Sequence, residues 1–138
     1  MIVTHDDYEW HCAIKTVNTY KIVISVSDYA VLEPFKLQKY FIGRKYSIPF
    51  ENIEVYTTAE PAILYHVYNC FESYRDKELA IHKLNQIRLF YGKNNVCLAK
   101  CTVPMESLYI DYDGILISDN IVINKLIFPK TLYNENNN

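Results

Sequence analysis

The sequence predicts a single α+β domain in which one main helix, at about residues 73–91, packs on a mostly antiparallel sheet. Three observations predict this class. A chain of 138 residues with half of its positions apolar has the size of one domain with one core. One segment has helical periodicity, and β-rich segments with turn signals flank it. We expect residues 1–133 to form the domain and the Asn-rich tail 134–138 to be disordered.

The first β-rich region begins with residues 20–27, YKIVISVS, whose strand-favouring side chains predict a mostly buried strand. Residues 28–50 show no sustained helical period and are interrupted by Pro34 and Gly43. This segment is therefore expected to be a loop with one short strand near residues 39–42.

A second short strand is predicted at residues 53–57, IEVYT. Glu60 and Pro61 then resemble the start of a helical turn that continues through Tyr65. The connection between this strand and the main helix is thus predicted to be partly helical.

The main helix is predicted from its ends and from one apolar stripe. Ser73 followed by Asp76 resembles a capping box, and Gly92 supplies a stop signal after residue 91. Apolar residues follow at spacings of four, three and four, which places them on one face: Ala80, Leu84, Ile87 and Tyr91. Four basic residues lie mainly off that stripe and are expected to be solvated: Arg75, Lys77, Lys83 and Arg88.

The C-terminal third consists of β-rich segments, namely VCLAKCTV, SLYIDY, ILIS and IVINKLIF. Asp113 and Gly114 favour a tight hairpin turn because both tolerate a positive φ. These segments predict a C-terminal β-meander. Small apolar side chains alternate along its first strand and are expected to pack beneath the helix: Cys97, Ala99, Cys101 and Val103.

The charge balance argues against nucleic acid as the main partner, because 14 basic side chains face 16 acidic ones. The first residues, MIVTHDDYEWHC, lack the positive start and the apolar run of a secretory signal, and no segment reaches the ~18–20 apolar residues of a membrane span. We therefore expect an intracellular protein without membrane contact, in which the four cysteines are reduced.

No combination of residues predicts a catalytic centre, a metal site or a cofactor. Cys97 and Cys101 would lie ~13 Å apart on one strand, whereas zinc needs sulfur ligands at ~2.3 Å. The predicted helix would carry His82 about 13 Å along its axis, away from Cys70 before its start. Enzymatic activity is thus disfavoured.

Anion binding at the helix start is the strongest remaining candidate for a site. Free N–H groups near Ser73 and Asp76, together with Arg75, could hold a phosphate. Against this, the carboxylates of Asp76 and Glu78 already complement the positive helix end. A structural role for these polar residues is therefore favoured.

Tyr40–Tyr46 is aromatic-rich, Val67–Phe71 precedes the predicted helix, and strands follow. This order resembles a small uncharacterised domain of phages and large DNA viruses, sometimes found beside pentapeptide repeats. In that domain a G-[FY]-H-x-F turn precedes the helix, whereas here Val67 replaces the glycine and Asn69 the histidine. The family has no established activity, so the resemblance implies a viral source. The abundance of Ile, Asn, Lys and Tyr agrees with an AT-rich viral genome.

The leading hypothesis is a non-enzymatic protein of a large DNA virus, present in the host cytoplasm or in the virion. It would bind a viral or host protein, as a virion component or a host-directed accessory factor, and homo-oligomer formation is compatible with this role.

Two alternatives remain. One is a nucleotide-binding or ADP-ribosyltransferase-like enzyme, supported by fold analogy alone. It would use a cleft between helix 73–91 and the N-terminal β segment, with these ligand-lining candidates: Arg44, Tyr46, Tyr68, Arg75 and His82. The other is an RNA-binding module on KYFIGRKY, residues 39–46, where aromatic and basic side chains alternate.

Overall fold

The computed structural model describes the backbone of residues 2–5, 8–34, 38–57, 65–68, 70–91 and 95–127, and the side chains of residues 8–34, 38–54, 70–89 and 95–127. Within these ranges the chain forms thirteen strands, one α-helix and one turn of 3-10 helix. The N-terminal elements are β1 (Ile2–His5), β2 (Tyr8–Cys12), β3 (Val17–Ser25), β4 (Ala30–Leu32), β5 (Lys39–Phe41), β6 (Lys45–Ser47) and the 3-10 turn (Phe50–Asn52). The remainder are β7 (Glu54–Thr57), β8 (Tyr65–Tyr68), β9 (Phe71–Tyr74), α1 (Lys77–Tyr91), β10 (Val96–Val103), β11 (Leu108–Tyr112), β12 (Ile115–Ser118) and β13 (Asn120–Ile127).

The main sheet has the strand order β1-β2-β11-β12-β9-β3-β10-β13-β6, and its described pairs are antiparallel. Strand β4 pairs with both β3 and β5 beside this path, while β7 and β8 form a separate two-stranded sheet. The predicted α+β class, a mostly antiparallel sheet with one main helix, is confirmed. Within the described residues no helix is long and apolar enough to cross a membrane.

The predicted strands at residues 20–27, 39–42 and 53–57 are present as β3, β5 and β7. The prediction missed the hairpin β1–β2 and the short strands β4 and β6. The helical turn predicted through Tyr65 is wrong at that residue, because Tyr65 begins β8 and pairs with Thr57. Residues 60–64 lie outside the described residues, as does the tail 134–138.

The helix starts four residues later than predicted. Ser73 lies in β9, where it pairs with Leu116 of β12 and is buried. Asp76 caps the helix, because its Oδ1 accepts the Glu78 N–H at 3.1 Å and its carbonyl accepts the Ala80 N–H. Residues 73–74 therefore belong to a strand that is paired over a long range, although local capping signals assigned them to the helix. The predicted stop residue, Gly92, lies outside the described residues, and the helix ends at Tyr91 as predicted.

The predicted C-terminal meander is wrong in its strand order. Strands β11 and β12 do form a hairpin, and Asp113 and Gly114 both adopt positive φ, at 51° and 90°. However, β10 lies between β3 and β13, while β12 lies between β11 and β9. The C-terminal strands therefore pair in two sets, β11 with β12 and β10 with β13, and strands β9 and β3 lie between the two sets.

The two faces of β10 contribute to two different parts of the core. Val96 and Leu98 pack with Ile22 of β3 and with the helical residues Ala80 and Leu84. The predicted apolar stripe of the helix is thus confirmed at its described positions.

Cys97, Ala99 and Cys101 face the other way and pack with Val23 and Tyr40. The prediction that this small-residue face lies beneath the helix is wrong. Because β10 is buried on both faces, alternation along its sequence could not distinguish one face from the other.

A third cluster joins the N-terminal hairpin to β11 and β12. Its buried members include Trp10, Ile110 and Ile117, and Phe50 contacts the Trp10 ring edge-on at a centroid distance of 5.2 Å. Ile48 packs against both this cluster and the cluster on the cysteine face of β10. The segment that follows β6 therefore connects these two parts of the core.

Candidate functional site

A buried charge network lies on the face of β3 opposite the helix. Lys21 is only 4% exposed. Its Nζ lies 3.4 Å from Glu33 Oε2 and donates a hydrogen bond to the Glu72 carbonyl at 2.7 Å. The same ammonium lies over the Tyr40 ring, 5.8 Å from its centroid. Burying an ammonium is unfavourable unless it is paired and hydrogen-bonded, and these three partners meet that requirement.

Strand pairing brings the network together. Strand β4 pairs with β3 through Ile24 and Leu32, and with β5 through Val31 and Tyr40. A backbone hydrogen bond from the Glu33 N–H to the Gln38 carbonyl, at 2.8 Å, closes the loop between β4 and β5. Glu33 is thereby held next to strands β3 and β5, which supply its two partners.

Tyr40 completes the network by donating its phenolic hydrogen to Glu33 Oε1 at 2.9 Å. Burial, followed by the adjacent Glu33 carboxylate, raises the pKa of Tyr40 far above its usual value of 10.0. Tyr40 therefore stays protonated at physiological pH. It acts as a hydrogen-bond donor and as an aromatic wall, and not as a base.

A cavity of about 290 Å³ adjoins this network. Its aromatic wall contains Tyr46, whose ring meets the Tyr40 ring edge-on at 5.0 Å, and Phe71, whose ring centroid lies 6.3 Å from that of Tyr40. The cavity is lined by residues of the β4–β5 loop, β5, the β6 region and the start of β9: Glu33, Gln38, Tyr40, Tyr46, Ser47, Ile48, Cys70 and Phe71. We call this cavity the Tyr40 pocket.

The ionisable side chains that line the Tyr40 pocket are few among the described residues. Its described lining has one carboxylate and lacks histidine, lysine and arginine. Burial raises the pKa of the nearby Cys101 thiol to about 12 and that of Cys97 to about 11, so both remain unreactive thiols at neutral pH. Cys70 is the thiol that lines the pocket itself, and no histidine lies beside it among the described lining residues.

The four candidate residues whose side chains are described do not come together at this pocket. Tyr46 lines it and accepts the Phe41 N–H at 2.7 Å. Arg75 is exposed and forms an ion pair with Asp111, while His82 is exposed on the helix. Arg44 lies over the Phe41 ring. Tyr68 lies in β8, and its side chain is outside the described residues.

The region between the helix and β3, where a ligand cleft was expected, contains packed side chains. Ile22 of β3 contacts the same apolar cluster as Ala80 and Leu84 of the helix. The predicted lining residues Arg75 and His82 thus flank a packed interface.

Arg88 was predicted to be solvated, and this prediction is wrong. It is 6% exposed, and its Nε and Nη2 donate to the Val96 carbonyl at 3.3 and 3.0 Å. Burial lowers its pKa from the usual value. The neighbouring Leu89 is 85% exposed. Near the end of the helix a charged side chain is thus buried while an apolar side chain is exposed.

Lys21 and Glu33 are the site residues that the sequence interpretation missed. The available signal was the position of Lys21, a lone charge beside the apolar run IVI. A charge that points into a core requires a partner, but nothing in the sequence pointed to Glu33 in the following loop.

A second candidate site is an exposed aromatic and basic surface. Lys39 Nζ and Arg44 Cζ lie 5.0 and 4.9 Å from the centroid of the Phe41 ring. Tyr29 is 66% exposed. Its carbonyl accepts the N–H of Ile42 at 2.9 Å, which places its backbone next to the residue that follows Phe41. We call Tyr29, Lys39, Phe41 and Arg44 the Phe41 surface.

In the described part of the chain, no group of three or more His, Cys, Asp or Glu side chains is arranged to hold a metal ion. Comparisons with protein-family models, with curated proteins and with solved structures each found no match to this chain. The resemblance to a domain of phages and large DNA viruses therefore stays a prediction.

Proposed function

We propose that this chain is a non-enzymatic protein of a large DNA virus that acts through protein contacts, as a virion component or a host-directed accessory factor. The observation that carries the proposal is the Phe41 surface. In the described residues, neither Lys39 nor Arg44 has a carboxylate within ion-pair distance. Exposed aromatic rings and arginine are enriched at protein interfaces, and the two unpaired cations favour a partner segment that carries carboxylates.

An acidic protein segment fits this surface better than RNA does. Stacking of a base requires an accessible face of an aromatic ring, whereas the Phe41 ring already has Lys39 and Arg44 over it. The chain also has a net charge of −2, which opposes the approach of a polyanion outside this surface. Carboxylates of a peptide can reach both cations without displacing either from the ring.

The geometry does not favour a nucleotide. The Tyr40 pocket is at the lower end of the ~300–1,000 Å³ range of ligand pockets, and its charged lining residue is the carboxylate of Glu33. Arg75, the cation expected to hold a phosphate, is paired with Asp111. A phosphate group would therefore meet repulsion at the pocket and a competitor at the arginine.

The viral source is supported by the order of aromatic, turn and helical segments and by the bias toward Ile, Asn, Lys and Tyr. Thirteen tyrosines and only three glycines in 138 residues agree with AT-rich codons. A location in the host cytoplasm or in the virion follows from this proposal.

Charge reversal on the Phe41 surface tests the proposal. Fluorescence anisotropy would measure how tightly the chain binds a short Glu- and Asp-rich peptide containing one tyrosine, and how tightly it binds a single-stranded RNA of equal length. We expect the peptide to bind the wild-type chain, and the variant with Lys39→Glu and Arg44→Glu to bind it at least about tenfold more weakly.

The variant with Lys77→Glu and Lys83→Glu is the matched control, since it changes the net charge equally at two exposed helical positions. It should bind the peptide nearly as well as the wild type does. Equal losses in both double variants would contradict the proposal, because they would indicate a general charge effect. Binding of RNA in preference to the peptide would favour the RNA-binding alternative.

A further inference from the structure

We propose that the segment bound by the Phe41 surface carries, besides its carboxylates, an apolar side chain such as leucine that packs on a neighbouring strip of the sheet. This inference rests on the proposed function, because it names the chemistry of the partner segment more closely. The strip is formed by side chains of β4 and of the end of β3. We call Ile24, Val26 and Leu32 the β4 strip.

The first part of the β4 strip is a row of side chains that crosses three strands. Leu32 of β4 pairs with Ile24 of β3 and with Lys39 of β5. Directly paired residues of antiparallel strands point to the same side of a sheet. Ile24 packs against the apolar cluster of the helix. This row therefore lies on the helix side of the sheet, and Lys39 of the Phe41 surface stands at its outer end.

A second row runs beside the first through Ala30. Phe41 pairs with Ala30, and the Val26 N–H donates to the Ala30 carbonyl at 3.2 Å, so Val26 takes the next paired position along β3. Side chains two residues apart on a strand share a side, which places Ala30 on the same side as Leu32. Val26 and Phe41 therefore belong to the helix side of the sheet as well.

The β4 strip is accessible because the helix covers other strands. In the described part of the chain, the helix packs mainly on β3, β9 and β10. Val26 is 52% exposed, and Ile24, Leu32 and Phe41 are only partly buried. Covering apolar surface is favourable, so a partner segment that reaches the cations of the Phe41 surface gains affinity if it also covers this strip.

The edge of β5 favours contact through side chains over addition of a partner strand. Among the described strands β5 pairs with β4 alone. Its Phe41 N–H donates to the Tyr46 hydroxyl at 2.7 Å, and the Phe41 carbonyl accepts the Arg44 N–H at 3.3 Å. A strand added at this edge would have to displace both hydrogen bonds. The partner segment is therefore expected on the face of β4 and β5.

Charge and spacing define the segment. Lys39 and Arg44 lie over the Phe41 ring, and carboxylates of the partner are attracted to both cations. Neighbouring strands are ~4.8 Å apart, so Val26 and Phe41 are separated by about 10 Å across two strand spacings. An extended segment covers that distance with about three residues at ~3.3 Å each. The apolar side chain is therefore expected within about three residues of the carboxylates.

Two acidic peptides that differ in one side chain test the inference. Both have the same length and the same net charge, and the third position before a Glu-Asp pair is leucine in one and serine in the other. Fluorescence anisotropy with the full chain measures both affinities. We expect the leucine peptide to bind the wild-type chain at least about fivefold more tightly than the serine peptide. Equal affinities would overturn the inference.

The variant Val26→Ser localises the apolar contact to the β4 strip. It should lower the preference for the leucine peptide by at least about twofold, while the affinity for the serine peptide stays unchanged. Ile14→Ser is the matched control, because it removes an apolar side chain that is 84% exposed elsewhere, and it should keep the full preference. A full preference in Val26→Ser would contradict the assignment to this strip.

Failure of this inference and failure of the proposed function give different results. If both peptides bind equally and charge reversal at Lys39 and Arg44 weakens both, the inference alone fails. If neither peptide binds, or if charge reversal has no effect, the proposed function fails with it.

The free chain tests two other occupants of the strip. Sedimentation would detect a dimer that dissociates in Val26→Ser, which would assign the strip to a second copy of the chain. Amide chemical shifts of residues 128–138 that change in Val26→Ser would assign it to the C-terminal segment of the same chain. Either result would contradict the inference, whereas a monomer with unchanged shifts in that segment supports it.

Discussion

The two faces of strands β3 and β10 are stabilised in different ways. On the helix face Ile22, Leu84 and Leu98 pack as one apolar cluster, so stability there follows the apolar area removed from water. On the opposite face, called the polar face here, Lys21 is buried against Glu33 and Tyr40, beside an apolar cluster that contains Val23 and Cys101. An apolar face tolerates partial changes in proportion to their size, whereas a charged pair depends on both of its members.

The segment that carries the Phe41 surface contacts the polar face. The Phe41 surface lies within residues 29–44, and most of the Tyr40 pocket is formed by residues 33–48. This segment packs against the polar face of the core through Tyr40 and Ile48. The Lys21–Glu33 ion pair is therefore one of the contacts, with strand pairing and apolar packing, that attach the segment carrying the Phe41 surface to the core.

The largest expected effect follows from breaking the charged pair. Lys21→Met should lower the free energy of unfolding by about 3 kcal/mol or more, because it removes the Lys21 ammonium from the largely buried Glu33 carboxylate and from the Glu72 carbonyl. The double variant with Lys21→Met and Glu33→Leu should recover more than half of this loss. Urea denaturation of both variants checks the expectation. The control is Lys100→Met, at an exposed position of β10. If Lys21→Met is as stable as this control, the pair contributes nothing to the free energy of unfolding.

The next effect concerns the apolar face. Leu84→Ala should lower the free energy of unfolding by about 3 kcal/mol, through lost burial and the cavity left behind. Leu89→Ala, at an exposed position of the same helix, should change it by less than about 0.5 kcal/mol. Thermal and urea denaturation of the two variants measure the contrast. Similar losses at both positions would contradict the described orientation of the helix.

The smallest effect is a pH dependence on the polar face. The native pKa values of Tyr40 and Cys101 are raised above 10.0 and 9.0, so the folded state retains protons that the unfolded state releases. The stabilisation that follows from these retained protons is fully present at pH values below the usual pKa values of the two groups. It is lost as the pH rises above those pKa values, so the free energy of unfolding declines at alkaline pH. Tyr40→Phe should lower the free energy of unfolding by about 1 kcal/mol at neutral pH, through the lost hydrogen bond to Glu33. It should also make the decline of that free energy at alkaline pH shallower.

Urea denaturation at neutral pH and at pH values above 10.0 measures this dependence. The control is Tyr29→Phe, because Tyr29 is exposed and its substitution should leave the alkaline slope unchanged. An identical slope in wild type and Tyr40→Phe would exclude Tyr40 as the origin of the decline.

The helix face could be predicted from the sequence because its signals are local. The spacing of Ala80 and Leu84 identifies the buried stripe, and Asp113 with Gly114 identifies a hairpin without reference to any other segment. Arg88 shows where local reasoning was misapplied. It follows Leu84 by four residues and therefore lies on the stripe, yet its charge suggested a solvated position. Its long side chain stays buried because two of its donors reach the Val96 carbonyl.

The polar face and the pocket could not be predicted, because their partners meet only through strand pairing. Lys21 and Glu33 come together because β4 returns alongside β3. Ser73 was assigned to a helix cap because its competing partner, Leu116, lies far along the chain. Tyr46 was named as a candidate for its residue type and local sequence, and those properties did not reveal which cavity its ring would line.

The central claim is that a protein partner binds the Phe41 surface and not the helix. Amide chemical-shift mapping of the labelled intact chain tests this claim most directly, during titration with the Glu- and Asp-rich peptide. The account predicts that the peptide shifts amides around Tyr29 and Lys39–Arg44 most strongly. Shifts concentrated in the helix Lys77–Tyr91 would contradict it.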